Sequence, residues 1–592
     1  MDPPLLPNEH AVGLASWIRR WQSTDVSDSG AEFDLVIRNG FVIDGTGAPG
    51  VHGDVAVLGD RIVAVGDVDG RGRREMDVDG QVVAPGFVDG HTHMDAQVFW
   101  DDVGKPTCWH GVTSVVIGNC GFTLAPARRD QRALVVRNLE RAEDIAPEAM
   151  AEGITWTWET FAEFLDAVDA VPKGLNHAAV VGHSALRTWA MGERAFEGAS
   201  TEEDLAVMAR ELRSALRAGA VGFSTSRTIA HATSDDRPVA SRLAAWDEVA
   251  ALVDIVGHES DAIFQLAPER LFDADQHADF ERRLSELAIS SGAPIAFGKF
   301  SHHIPQPSTE LIEATAAKGG EMFTLTHCRG VVSAQSFLTR LGFDSLPEWQ
   351  EVRRHPYAEQ QRLLRDPEIR QRLVDAAHHG DYASTHGPEA SRPKFETMTI
   401  LESPYLPNPT VADEARRRGV DPVEAMIDVA LEHDFEVFFV QHLMSQNEDE
   451  LLTLMRHPRS AMCFSDSGAH VSQIFDSSIY THLLAYWVRE RGLLGLEEAI
   501  QMITSRPADI WRLRGRGRLV PGHAADITIF DADTVAPLMP SVVEDLPGGA
   551  KRIEQRAEGI TATIVNGTFF TYKGEPTEHR PGRLLRAPQP AV

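Results

Sequence analysis

The pattern of apolar and polar positions divides the chain into three stretches. From 33 to about 82, short apolar runs alternate with turn residues. Asp34-Leu35-Val36-Ile37-Arg38 and Phe41-Val42-Ile43 flank Asn39-Gly40, and Val55-Ala56-Val57 and Ile62-Val63-Ala64-Val65 flank Gly59-Asp60. Both spacings predict β-hairpins, since these turn residues accept positive φ. The C-terminal stretch repeats this chemistry in Asp526-Ile527-Thr528-Ile529-Phe530 and in the runs around Asn566-Gly567. The ends are read as one small β-sandwich, its first part at 33–82 and its second part, with the tail, at 515–592.

Between them, across 83–514, apolar runs of strand length alternate with helical patterns. The strands are expected in the run from Val83 to His93 and over 112–118, 177–182, 220–224, 262–266, 294–297, 435–440 and 461–464. The clearest helix starts at Thr201, an N-cap with Asp204 three residues on, and continues through Leu205, Met208, Leu212 and Leu216. Eight alternating units predict an α/β fold, a (β/α)8 TIM-like barrel whose site lies at the C-terminal ends of its strands. A Pro- and charge-rich insertion over about 331–408 is expected to cover the mouth. Residues 1–32 form an extension with one amphipathic piece, Ala11 to Trp21.

Composition adds exclusions. A chain of 592 residues exceeds one compact core. A net charge of −31 argues against nucleic acid and anionic membranes as partners. No run of apolar residues is long enough for a membrane span, and the acidic, polar N-terminus is not a secretory signal. Four scattered cysteines make no disulfide framework. A cytoplasmic enzyme acting on a small molecule is expected; oligomeric state is left open.

The candidate chemistry sits at strand ends. The run Val83-Ala84-Pro85-Gly86-Phe87-Val88-Asp89-Gly90-His91-Thr92-His93 delivers two histidines to one face, because strand side chains alternate. Two imidazoles on a rigid edge suit zinc. Strand two ends at Gly118-Asn119-Cys120-Gly121, where a thiolate can join a metal. Strand eight ends at Ser465-Asp466-Ser467-Gly468-Ala469-His470, where Asp466 can hold a water and move its proton. His183, His442 and the pair His302-His303 follow other strands, and His470 begins the last loop. Arg187, Arg227 and Arg329 are candidates for a substrate carboxylate, which guanidinium groups grip with two parallel bonds.

Together these pieces, with Gly219-Ala220-Val221-Gly222-Phe223-Ser224-Thr225 and Pro521-Gly522-His523-Ala524-Ala525-Asp526, resemble the amidohydrolase superfamily, and within it the D-aminoacylase (N-acyl-D-amino-acid deacylase) branch. The resemblance runs from about Phe33 to Arg586. It implies a barrel with a β-sandwich, one or two zinc ions and hydrolysis of a linear amide. It also implies His91, His93 and Cys120 as ligands, with Cys120 in a bridging place, and Asp466 as ligand and general acid/base. The branch also uses histidines at the ends of strands five and six. Here strand five reads Ile263-Phe264-Gln265-Leu266-Ala267, and after strand six only His302 or His303 is available. A cyclic-amide or carbamate hydrolase, and a non-catalytic binding protein with a degenerate site, are the alternatives.

Overall fold

The computed structural model describes residues 31–269, 273–301, 307–382, 389, 392–405, 407–444 and 446–587. The Ala11 to Trp21 piece and His302 and His303 lie outside them.

Eight parallel strands form a barrel. Strand one is the pair of segments Phe87–Asp89 and His91–Thr92. Strands two to seven are Val112–Ile117, Asn176–Gly182, Gly222–Ser226, Ile263–Ala267, Ile295–Gly298 and Met322–Thr326. Strand eight is Ser460–Met462 continuing as Phe464–Ser467. Each strand pairs in parallel with the next, and the ring closes where Phe464 registers with His91 and Gly90 donates to the Cys463 carbonyl at 3.0 Å. Inside the barrel Val88, Val116, Val180, Ile263, Leu325 and Ala461 pack against Trp511, so the floor is a filled core. Helices flank the strands, and the helix Glu202–Ala218 begins with a full capping box between Thr201 and Asp204, as expected.

Strand seven corrects the sequence reading. It is Met322–Thr326, not the run at 435–440. The latter contributes Phe439–His442 to a separate antiparallel sheet with Val332–Gln335 and Met398–Ile400. A short apolar run reads alike in a barrel and in any buried sheet. Here the run feeds another core, where Phe435 and Phe439 pack with Phe337 and Trp349. The excursion between strands seven and eight therefore runs over 327–459 rather than ending near 408.

The chain ends meet in one nine-stranded sheet. It holds Phe33–Val42, Val51–Leu58, Arg61–Gly66, Gly72–Asp77 and Val82–Pro85 with Ile527–Phe530, Ile560–Val565, Thr568–Tyr572 and Glu575–Pro576. The hairpins at Gly59-Asp60 and Asn566-Gly567 form as expected. The one at Asn39-Gly40 does not. Phe33–Val42 is continuous, and its register shifts between Ile37 and Gly40. Asn39 takes positive φ there, and a side chain at Gly40 would meet the Val83 methyl at 2.5 Å. The same two residues that suit a hairpin turn also suit a bulge.

Candidate metal centre and active site

Strand one sets the first two side chains. Thr92 donates to the Val116 carbonyl at 2.8 Å, which turns His91 and His93 to the opposite face. Phe464 stacks on the His91 ring with centroids 3.7 Å apart and fixes its plane. Cys120 follows strand two in a turn where Gly118, Cys120 and Gly121 all have positive φ. That turn is pinned from two neighbouring strands. Gln265 Oε1 accepts from the Cys120 N–H at 2.7 Å, and Ser224 Oγ accepts from the Gly121 N–H at 2.9 Å while donating to the Gly118 carbonyl at 2.5 Å. Asp466 also has positive φ, and at Gly468 an added Cβ would stand 2.6 Å from the His93 carbonyl. Small residues are required there because strand eight passes against strand one.

These turns bring four groups together. His91 Nε2 lies 3.4 Å from Cys120 Sγ and 3.5 Å from Asp466 Oδ1, and His93 Nε2 lies 3.3 Å from the same oxygen. Ligand atoms around one zinc stand roughly 3.3–3.8 Å apart, given bond lengths of 2.0–2.3 Å. Several of these atoms are buried without a hydrogen-bond partner: both ring nitrogens of His93, Nδ1 of His91 and Oδ1 of Asp466. Such groups are costly unless something satisfies them. The residues fit a divalent cation.

The electrostatics agree. Burial lowers His91 to about 3, keeping it neutral. Burial also opposes charge on His93, but Glu143 and Asp466 hold it well above its ordinary value. Burial likewise opposes charge on Asp466, and His93 nonetheless holds it well below the usual carboxylate range. Cys120 is pushed up to about 12 by burial. A bound cation would reverse that, since coordinating thiols lose their proton.

A cavity of about 650 Å³ opens over the group, lined among others by His231, His327, Arg340, Asp466 and His470. The amidohydrolase family model matches residues 74–570. The chain belongs to the amidohydrolase family.

Its relatives lie in the D-aminoacylase branch. N-acyl-D-glutamate deacylase of Alcaligenes xylosoxydans xylosoxydans is 30% identical over 94% of this chain and 97% of its own. N-acyl-D-aspartate deacylase of the same organism is 30% identical over 96% and 97%. The crystal structure of N-acyl-D-glutamate deacylase from Bordetella bronchiseptica, in complex with zinc and a phosphonate inhibitor, is 25% identical. It covers 94% of this chain and all of its own, with a TM-score of 0.62. This amidohydrolase is thus a hydrolase of carbon–nitrogen bonds other than peptide bonds. No helix among the described residues is long and apolar enough to cross a membrane.

Of the remaining candidates, His470 lines the cavity, with Nε2 3.8 Å from Glu143 and 3.9 Å from Asp466. Three others do not line it. His183 and Arg187 are fully buried on Glu248, at 2.8 Å and 2.5 Å. Arg227 pairs with Glu269 and leans on Trp246. Against their expected place at the substrate, all three are held outside the cavity by internal ion pairs, His183 and Arg187 with an acid of the helix Trp246–Glu259 and Arg227 with one in the loop after strand five. Arg329 pairs with Asp476 at 2.5 Å, and with His442 it borders a second cavity of about 240 Å³. Neither lines the main one.

Sequence reasoning missed Glu143, His231 and His327. Glu143, buried between two helices, reaches 3.4 Å from His93 Nε2. His231 lies five residues past strand four. His327 ends the strand that went unrecognised, and reading Met322–Thr326 as a strand would have found it.

Proposed function

We propose that this amidohydrolase deacylates N-acyl-D-amino acids with a zinc centre held by His91, His93, Cys120 and Asp466. The carrying observation is the meeting of these four groups, several with buried unpartnered atoms, at the mouth end of strands one, two and eight. Relatives whose names specify N-acyl-D-glutamate and N-acyl-D-aspartate point the substrate class the same way. When bound, the metal would lower the pKa of a water and polarise the scissile carbonyl.

The chain's own residues do the rest. Asp466 takes the proton from the attacking water and returns it to the departing amine. His470 stands beside Asp466 and favours its charged form, and Glu143 lies in the same cluster with His93. Arg141 lines the cavity and pairs with the exposed Asp236 at 2.7 Å, so it is the cation best able to exchange its partner for a substrate carboxylate. Arg340 is clamped between Asp144 and Glu389. Val332, Ser333 and Arg340 of the 327–459 excursion line one side of the cavity.

The test is a panel of N-acetyl-D- and N-acetyl-L-amino acids against cyclic amides and carbamates. Selective release of free D-amino acids supports the reading. Turnover of ring substrates alone overturns it.

A further inference from the structure

We infer that the second cavity, between the 327–459 excursion and the barrel, is a binding site for a one-ring aromatic carboxylate. Arg329 after strand seven, Leu401 and Val440 of the excursion, and His482, Tyr486 and Trp487 of the helical run after strand eight all line it. Its volume is about 240 Å³. Drug-sized ligands occupy roughly 300–1,000 Å³, so a single ring with a small head group matches this space. None of His91, His93, Cys120 and Asp466 takes part.

The head group is set by Arg329, which is only 9% exposed. Its Nε and Nη2 donate to Asp476 Oδ1 at 3.2 and 2.5 Å, and Nη2 donates to the Phe475 carbonyl at 3.1 Å. Nη1 makes no hydrogen bond to any described residue. Buried donors without acceptors are costly, and a guanidinium carries five. His442 Nδ1 and His482 Nδ1 are likewise buried without a partner. Burial first, and then the Arg329 charge, hold both rings below their ordinary pKa, so they stay neutral. The carboxylate that lines the cavity, Glu448, is already taken by Tyr486 Oη and Arg491. The unmet demand is for an acceptor, and a carboxylate makes the stronger, charge-assisted bond to a guanidinium.

The body of the ligand is set by the rings. His482 and Tyr486 stack at 5.2 Å, Tyr405 stands 5.8 Å from His482, and Trp487 meets Tyr486 edge-on at 5.7 Å. Aromatic groups favour such offset and edge-on approaches, so a flat ring joins this cluster well. The backbone there is unusual too. The helix Ile479–His482 widens into a π-helix over Leu483–Glu490, and the Arg491 N–H donates to the Tyr486 carbonyl five residues back at 2.8 Å. π-helical segments are rare and occur frequently at functional sites. The site adjoins the catalytic cavity: Val332 lines both, and Asp476, the partner of Arg329, lines the catalytic one.

The test is calorimetric titration of the full chain, stripped of zinc, with benzoate, benzyl alcohol and cyclohexanecarboxylate. It is repeated with benzoate on Arg329→Gln, Leu401→Trp and Arg141→Gln. The expected result is about one benzoate per wild-type chain. Benzyl alcohol, which lacks the charge, should bind about 10-fold or more weaker. Cyclohexanecarboxylate, which is not flat, should bind about 2- to 10-fold weaker. Arg329→Gln removes the free donors and Leu401→Trp fills the space, so each should weaken benzoate about 10-fold or more. Arg141→Gln, in the catalytic cavity, should leave benzoate affinity unchanged. Circular dichroism establishes folding; Leu401→Trp carries the test if Arg329→Gln, which strands Asp476, does not fold. No benzoate binding to wild type overturns the inference, as does equal binding of either comparison ligand. Benzoate affinity that falls in Arg141→Gln and holds in Leu401→Trp also overturns it, because the ligand then sits in the catalytic cavity. None of these outcomes bears on the hydrolase reading.

Discussion

Gln265 on strand five accepts a hydrogen bond from the backbone N–H of Cys120 at 2.7 Å, so one strand's side chain holds the turn that presents another strand's thiol. Supporting bonds of this kind commonly change metal affinity by about 10–100-fold. Gln265→Leu removes the acceptor and leaves a buried N–H alone. Competition with a chelating dye is expected to show zinc affinity reduced within that range; an unchanged affinity would mean that the Cys120 turn holds itself.

Gly468 tests the approach of strands one and eight. It has φ of 93° and its missing Cβ would lie 2.6 Å from the His93 carbonyl. Gly468→Ala adds a left-handed penalty of about 1–2 kcal/mol to that clash. Both thermal stability and bound zinc are expected to fall. Retention of both would show that strand eight can move away without loss.

The trio of His183, Arg187 and Glu248 is predicted to serve stability and not binding. Glu248→Gln leaves the Arg187 charge buried without its partner, an expected cost of about 3–5 kcal/mol, read by denaturant unfolding. KM is expected to stay unchanged. A raised KM with full stability would return Arg187 to the substrate.

The same trio sets an acid limit. Burial opposes charge on Glu248, but His183 and Arg187 hold its pKa below the ordinary 4.5 in the folded protein. The folded state therefore binds fewer protons than the unfolded one. This contribution to stability is fully present above pH of about 4.5 and is lost as pH falls below that. The difference in unfolding free energy between wild type and Glu248→Gln should be largest near pH 6 and should shrink progressively as pH falls below about 4.5; a gap that stays constant from about pH 6 to well below about pH 4 would contradict the assignment.

Much of this was legible in the sequence because the signals were local. The alternation in His91-Thr92-His93, the glycines around Cys120 and the small residues after Asp466 each dictate a backbone path, and the structure follows all three. The Thr201 capping box was readable for the same reason. What failed was non-local. Asn39-Gly40 has one chemistry and two uses, turn or bulge, and Val83 decides between them from another strand. The run at 435–440 looks like a barrel strand until Phe337 and Trp349 claim its phenylalanines. Glu143 and His231 sit on loops with no periodicity, and only the folded chain brings them to Cys120.

The most direct measurement is release of free amino acid from an N-acetyl-D-amino acid by wild type and Asp466→Asn, each stripped by chelator and then reloaded with zinc. The account predicts that stripped wild type is inactive and that zinc restores it. Asp466→Asn should stay at least about 100-fold slower even when reloaded, because the proton acceptor is gone. Full activity in stripped wild type, or in reloaded Asp466→Asn, would contradict it.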